Sequence, residues 1–315
     1  MGRDLACQGD SCTEKAEAPA RNFIDIRCVI FYSPEQERIL FKSKNEGLVR
    51  QPMMKSPIKI WFADPAFSDW PMHLKIREIL SMHYTLEYCE KPDFLFYSCF
   101  GTDYQVHHNC VKIFYTGENV VPNFNDCDYA IGFDYLTFDD RYLRYEPVYS
   151  YIGNCLAVRK KADASLLERK FCNFIYSNED PGEGTLLRKD FCKRLAKYKR
   201  IDCPGSVLNN MKGAIEPRNG NWISSKLDFI QNYKFTIAFE NSVSDGYLTE
   251  KLLHAFMTNS IPIYYGDPSV SRMFNPKAFV NVRDFGGFDD VIKKIEELDH
   301  RDELYLQMLK EPVVE

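Results

Sequence analysis

The feature that most constrains this chain is the alternation of short apolar runs with amphipathic segments. Ile58–Phe62, Phe94–Tyr97, Val111–Tyr115 and Tyr129–Phe133 are brief apolar runs bounded by turn residues, which is the signature of buried strands. Between the first two, Ile76, Ile79 and Leu80 share one face at helical spacing. After the polar stretch Arg159–Asp163 the alternation resumes. It runs through a strand at Phe171–Tyr176, a basic helix at Leu186–Tyr198, a strand at Phe235–Phe239, a helix at Thr249–Thr258, a strand at Ile261–Tyr265 and a final helix at Asp289–Leu298. Strand, helix, strand is the unit of a parallel sheet. The reading is an α/β chain with two Rossmann-like domains, 58–158 and 159–315, preceded by an extension over 1–57. One large doubly wound sheet is the structural alternative.

Composition narrows the function classes. The 315 residues include 23 Phe and 19 Tyr and are 45% hydrophobic, enough apolar surface to offset chain entropy in a folded core. With 40 Lys and Arg against 45 Asp and Glu, the net charge is −5. That argues against a nucleic-acid binder working through a basic surface, because phosphate neutralisation dominates such binding. The longest apolar stretches, such as Cys28–Tyr32, fall far short of the roughly 20 residues that span a bilayer. The first residues, Met1–Ala6, lack a signal-peptide core and a myristoylation pattern. The expected location is cytoplasmic. The 11 cysteines are scattered and form no C-x-x-C pair, so they read as free thiols, with Cys7 and Cys12 in a polar, poorly ordered terminus.

The densest chemical signal is Phe239-Glu240-Asn241-Ser242 followed by Tyr247-Leu248-Thr249-Glu250-Lys251. A buried strand runs into a polar loop and then a helix with Glu250 and Lys251 in its first turn. Ligands of open α/β sheets sit at the carboxyl ends of strands, and a helix N-terminus offers N–H groups to an anion. A phosphate is expected there, although the same two charges also fit an ordinary solvated first turn. Asp126-Cys127-Asp128 spells D-x-D, a metal-binding tripeptide in many transferases, but it precedes a strand of the first domain and is read as a chance occurrence. The six histidines show no metal-ligand spacing, and no Walker or G-x-S-x-G sequence occurs.

The run from Phe235 through Glu240-Asn241-Ser242, Tyr247-Leu248-Thr249-Glu250-Lys251 and Ile261–Gly266 to Phe279–Phe285 resembles the α1,3/4-fucosyltransferase signature. Phe114–Asn119, Pro122-Asn123-Phe124 and Asp140–Arg144 are similar to the bacterial members of that family, glycosyltransferase family 10. The resemblance implies a GT-B fold, with an acceptor-binding N-terminal half and a C-terminal half that binds GDP-fucose across a cleft. It implies inverting α1,3 transfer to the GlcNAc 3-OH of N-acetyllactosamine-type acceptors, giving Lewis x products of the kind found in protein glycosylation and lipopolysaccharide O-antigen. The resemblance implies that no metal is required, with Mn²⁺ or Mg²⁺ at most stimulating.

The resemblance also assigns residues. Glu118, just past the strand Val111–Tyr115, would be the general base, unless it caps a helix or pairs with a cation. Lys251 and Arg188 would face the leaving diphosphate, Arg188 through its planar fork. Glu250 would hold the ribose hydroxyls, and Asn241 and Tyr247 would bond the diphosphate or the fucose. Glu240, Ser242 and Thr249 form a second tier. The acceptor is expected to meet loops within 64–75, 100–109 and 119–150, where Trp70 or Tyr142 would stack on a sugar face or lie in the core.

Departures are His254, where many members carry Asn, and Ser260, where several carry Gly. Relatives usually continue past the position of Glu315 into heptad repeats and a basic amphipathic tail. In a longer protein such a tail would bring peripheral contact with the inner face of a bacterial membrane, or a dimer. Rival readings are a GT-B enzyme for another nucleotide sugar and a non-catalytic nucleotide-binding protein.

Overall fold

The computed structural model describes residues 57–63, 71–144, 162–179, 182–216 and 221–314, with backbone only for 71–75. Cys7, Cys12, Trp70 and most of the boundary stretch at 159–161 lie outside the described residues. The first part comprises β1 (Pro57–Phe62), α1 (Pro71–His83), β2 (Thr85–Tyr88), β3 (Phe94–Tyr97), β4 (Val111–Tyr115), β5 (Tyr129–Gly132) and β6 (Tyr142–Arg144). The second comprises β7 (Lys170–Asn173), α2 (Glu183–Leu195), β8 (Ile201–Asp202), α3 (Trp222–Ile230), β9 (Tyr233–Phe239), α4 (Glu250–Met257), β10 (Ile261–Tyr265), β11 (Val280–Asn281), α5 (Phe288–His300) and α6 (Asp302–Lys310).

These strands make two all-parallel sheets, ordered β2-β1-β3-β4-β5-β6 and β8-β7-β9-β10-β11. Both follow the same winding rule. The chain starts one strand in from the edge, goes out once, then crosses back and continues the other way. The order reverses between β1 and β3 in one sheet and between β7 and β9 in the other, and at such a switch point the crossover connections diverge and leave a crevice. Every residue of β9 is buried, as a strand covered by helices on both faces requires. Pro262 sits within β10, yet β11 pairs only with Ile263 and Tyr264, so the ladder on that side begins after the residue that has no N–H to give.

Each sheet carries its own core. Ile58, Ile60, Ile76, Ile79, Phe94, Phe96 and Ile113 cluster under the first. Phe171, Phe191, Phe235, Phe239, Ile263, Ile295 and Tyr305 cluster under the second. Among the described residues no helix is long and apolar enough to cross a membrane.

Three elements differ from expectation. The strand expected to reach Tyr176 ends at Asn173, where its pairings with both β8 and β9 stop. The basic helix begins at Glu183 and stops at Leu195, its start fixed by Thr185, whose hydroxyl accepts the Gly182 N–H at 2.9 Å and donates to the Gly182 carbonyl at 2.7 Å. The helix over 288–300 is not the last, since Arg301 adopts extended backbone and a further turn-and-helix, α6, follows.

Candidate active site

The site forms at the switch point of the second sheet. Beyond Asn173 the chain leaves β9, and the gap in the ladder is filled by a side chain. The Tyr176 hydroxyl accepts the Phe239 N–H at 2.7 Å and lies 2.9 and 3.1 Å from the carbonyls of Ile237 and Phe239. Buried backbone groups need such partners. Burial pushes the Tyr176 phenol well above its ordinary range, with Lys251 and Arg188 pulling against it. It therefore serves as a neutral strut.

At the end of β9 stands Glu240, fully buried. Its Oε1 accepts the Thr249 N–H at 2.9 Å, and its Oε2 accepts the Thr249 hydroxyl at 2.7 Å and the Lys251 ammonium at 3.0 Å. The Lys251 Nζ also lies 2.9 Å from Thr249 Oγ1 and 3.9 Å from Glu250 Oε1. Burial alone would lower the Lys251 ammonium, but Glu240 and Glu250 outweigh it and hold it charged. A buried carboxylate with three donors is a satisfied group, and removing its cation would be costly. The Thr249 N–H at the start of α4 is already taken by Glu240, so that one donor of the helix end is not offered to an anion.

Glu250 opens α4 and is partly exposed, with Lys226 and Lys251 each 3.9 Å from its carboxylate. Burial would raise its carboxyl, and those two cations more than reverse that, keeping it ionised. An ionised acceptor at the rim of the crevice suits a pair of hydroxyls.

Arg188 is buried on α2, its guanidinium 4.2 Å from the centre of the Tyr176 ring and bonded to the Asn178 carbonyl. Among the described residues its Nε has no hydrogen-bond partner. Burial lowers its affinity for the proton, countered by Tyr176 and Glu240. By contrast Lys193, Arg194, Lys197, Lys199 and Arg200 are exposed. The N-terminus of α2 packs on the strand end so closely that a Cβ on Gly184 would stand 2.4 Å from the Glu240 carbonyl oxygen.

The loop after β9 meets the first sheet. The Tyr247 hydroxyl donates to Asn241 Oδ1 at 3.0 Å, and its ring meets Phe133 edge-on with centroids 5.0 Å apart. Burial, then Glu240, then Glu118 push its phenol far up. Glu118 is half-buried in the loop after β4, its N–H held by Thr116 Oγ1 at 3.0 Å. Its neighbour Asn119 donates to Ser242 Oγ at 2.8 Å and accepts from Ser244 Oγ at 2.6 Å. Gly246, at φ +84°, lets the backbone reach Phe133, since a Cβ there would lie 2.5 Å from the Phe133 carbonyl oxygen.

The structure thus brings Arg188, Glu240, Asn241, Ser242, Tyr247, Thr249, Glu250 and Lys251 to one strand end, with Glu118 facing them from the other sheet. Tyr142 is placed elsewhere. It is buried in β6 and donates to the Asp134 carbonyl at 3.1 Å, so the reading of it as a sugar platform gives way to the core reading. Asp126 serves a local turn, accepting from the Asn123 amide at 2.6 Å, and Asp128 accepts the Lys112 N–H of β4 at 2.9 Å. Ser260 shares a hydrogen bond of 2.7 Å with Thr236 beneath β9. Sequence reasoning missed Tyr176 and Asn119. The only signal for Asn119 was its place beside Glu118.

The model of the alpha-(1,3)-fucosyltransferase FucT N-terminal domain matches residues 60–152, and that of glycosyltransferase family 10 (fucosyltransferase) C-term matches residues 168–310. Alpha-(1,3)-fucosyltransferase FucT of Helicobacter pylori is 33% identical over 288 residues, covering 82% of this chain and 60% of that protein. The chain therefore spans less than two thirds of that relative. A crystal structure of an alpha1,3-fucosyltransferase matches with TM-score 0.69 at 30% identity, covering 86% of each chain. Another, with GDP-fucose, matches with TM-score 0.67 at 31% identity, covering 85% of this chain and 86% of that one. The paired parallel sheets and these matches define a GT-B fold, and the chain belongs to glycosyltransferase family 10, the fucosyltransferases.

Proposed function

We propose that the chain transfers fucose from GDP-β-L-fucose to the GlcNAc 3-OH of an N-acetyllactosamine-type glycan, with inversion. The observation that carries this reading is the Glu240, Thr249 and Lys251 cluster at the sheet's switch point, faced by Glu118 from the other half, in a chain 31% identical to an alpha1,3-fucosyltransferase whose structure was solved with GDP-fucose. The Glu118 carboxylate takes the proton of the acceptor hydroxyl as its oxygen bonds to the anomeric carbon. The bond from that carbon to GDP breaks on the opposite face, and GDP leaves with the electron pair, so the β donor becomes an α-fucoside.

Charge building on the diphosphate is met by Lys251, held ionised by Glu240, and by Arg188, whose Nε is unpartnered among the described residues. Glu250 receives the ribose hydroxyls. Asn241 and Tyr247, joined by their own hydrogen bond, line the path of the diphosphate or the fucose. These cations supply the counter-charge, and no metal is required in this scheme.

The test is an acceptor panel of lactose, N-acetyllactosamine and their type 1 isomers with GDP-fucose, together with Glu118→Ala. Wild type is expected to yield the α1,3-linked product on N-acetyllactosamine. Glu118→Ala should keep GDP affinity within about twofold and lose at least 100-fold in turnover, the range of general-base removal. Near-normal turnover of Glu118→Ala would remove Glu118 from the role, and preference for UDP or ADP sugars would remove the fucosyl reading.

A further inference from the structure

Asn119 is the one side chain through which the loop bearing Glu118 is hydrogen-bonded to the loop bearing Asn241 and Tyr247, as far as the described residues show. It spans the two sheets with a matched pair of bonds. Its amide nitrogen donates to Ser242 Oγ at 2.8 Å, and its amide oxygen accepts from Ser244 Oγ at 2.6 Å. Glu118 is consequently held on both sides, by Thr116 Oγ1 on its own N–H at 3.0 Å and by the anchored Asn119 one residue on. The backbone is pinned further by the Val120 N–H bonding to the Glu118 carbonyl at 2.7 Å. A carboxylate on such a short, tethered loop has few places to go. Those places are set by residues 242 and 244 of the opposite half.

We propose that Asn119 is a positioning residue that places the Glu118 carboxylate against the donor loop, acting on the transfer step and not on donor affinity. The proposal rests on the fucosyl-transfer reading with Glu118 as base. A misplacement of about 1 Å in a reacting group costs on the order of 100-fold in rate. The bonds to Ser242 and Ser244 fix Asn119, and the effect reaches the chemistry only through Glu118. An aspartate at 119 can still accept from both hydroxyls, but it sets a second negative charge next to Glu118, which disfavours ionisation of the base.

The experiment is steady-state kinetics with GDP-fucose and N-acetyllactosamine, with GDP calorimetry and thermal melting, on wild type, Asn119→Ala, Asn119→Asp, Glu118→Gln and the double variant Asn119→Ala with Glu118→Gln. Asn119→Ala is expected to lower kcat by roughly 10- to 100-fold while the KM for GDP-fucose and the Kd for GDP stay within about twofold. Asn119→Asp should recover part of that loss at high pH, with the acid limb of its kcat profile moved upward. In the Glu118→Gln background, removal of Asn119 should cost nothing further, because its effect runs through the carboxylate. Multiplying losses in the double variant, a GDP Kd that weakens in step with kcat, or a wild-type rate in Asn119→Ala would each overturn the proposal. Wild type inactive with GDP-fucose, or Glu118→Gln at full rate, would overturn the underlying reading and the proposal with it. If Asn119→Ala does not fold, the isosteric Asn119→Asp carries the test, and an unshifted acid limb at full rate overturns it.

Discussion

His254 lies on α4, fully buried, with the Trp222 ring 6.5 Å away. Burial pushes its imidazole down to about 3, with Lys226 and Lys251 acting in the same direction and Glu250 against them. The folded value lies below the unfolded one, so the native state holds fewer protons than the unfolded chain between these two values. Stability from the neutral ring is fully present above pH ~6.5 and falls as the pH drops, by up to about 1.4 kcal/mol per pH unit. The wild-type melting temperature should therefore fall more between pH 7 and 5 than that of His254→Asn, and parallel curves would show that His254 is not the group responsible. Glu250 does not confuse the window, since its two cations hold its titration below it. Residues in one local run, Tyr247 to Lys251, were legible in the sequence because their spacing is itself the signal. Asn119 and Ser242 are 123 positions apart, and no local pattern announces that pairing. For Glu240 the sequence leaves a second-tier site role and a plain strand end both open, because its three donors lie 9 and 11 residues further on and have no local pattern.

At the level of elements, the decisive contact is α2 against the end of β9. Gly184 has no side chain because the Glu240 and Asn241 backbone occupies that space. Gly184→Ala should force the two apart at a cost of about 1–3 kcal/mol, typical of overpacking, and weaken GDP binding as the 240–241 backbone shifts. Gly287, with nothing within 4 Å of its Cβ position, provides the control, and Gly287→Ala should change neither melting nor GDP affinity. Equal behaviour of the two variants would contradict the packing argument. The long buried strands were legible because continuous apolar runs need no context. β2, β6, β8 and β11 were not, having two to four residues each and being defined by the neighbour they pair with. The sequence Thr-Leu-Glu-Tyr of β2 is largely exposed, so it carries no pattern of burial. The start of α2 is not legible in the sequence because Gly184 and Thr185 are poor helix formers, and tertiary contacts with the strand end set it.

Across the whole molecule, the same winding rule in both sheets directs both switch points toward loops at the carboxyl ends of strands, which is where a ligand shared by two halves must lie. In the proposed function the counter-charge to the nucleotide comes from the protein's own Lys251 and Arg188. GDP is therefore expected to raise the melting temperature in excess EDTA, by about 2.7 kcal/mol of binding free energy at a concentration 100-fold above Kd. UDP and ADP at the same concentration should do less. A GDP effect abolished by the chelator would show that a metal is needed after all.

The contact between Tyr247 and Phe133 has a thermodynamic corollary. Tyr247 belongs to the loop of one half, while its ring and the adjoining Gly246 backbone rest on the other. If filling one side alters this seam, the affinity of the opposite side for its ligand changes by some factor, and linkage requires that second ligand to change the first one's affinity by the same factor. A substitution at Phe133 is then expected to change that shared coupling factor, equally whichever side is filled first.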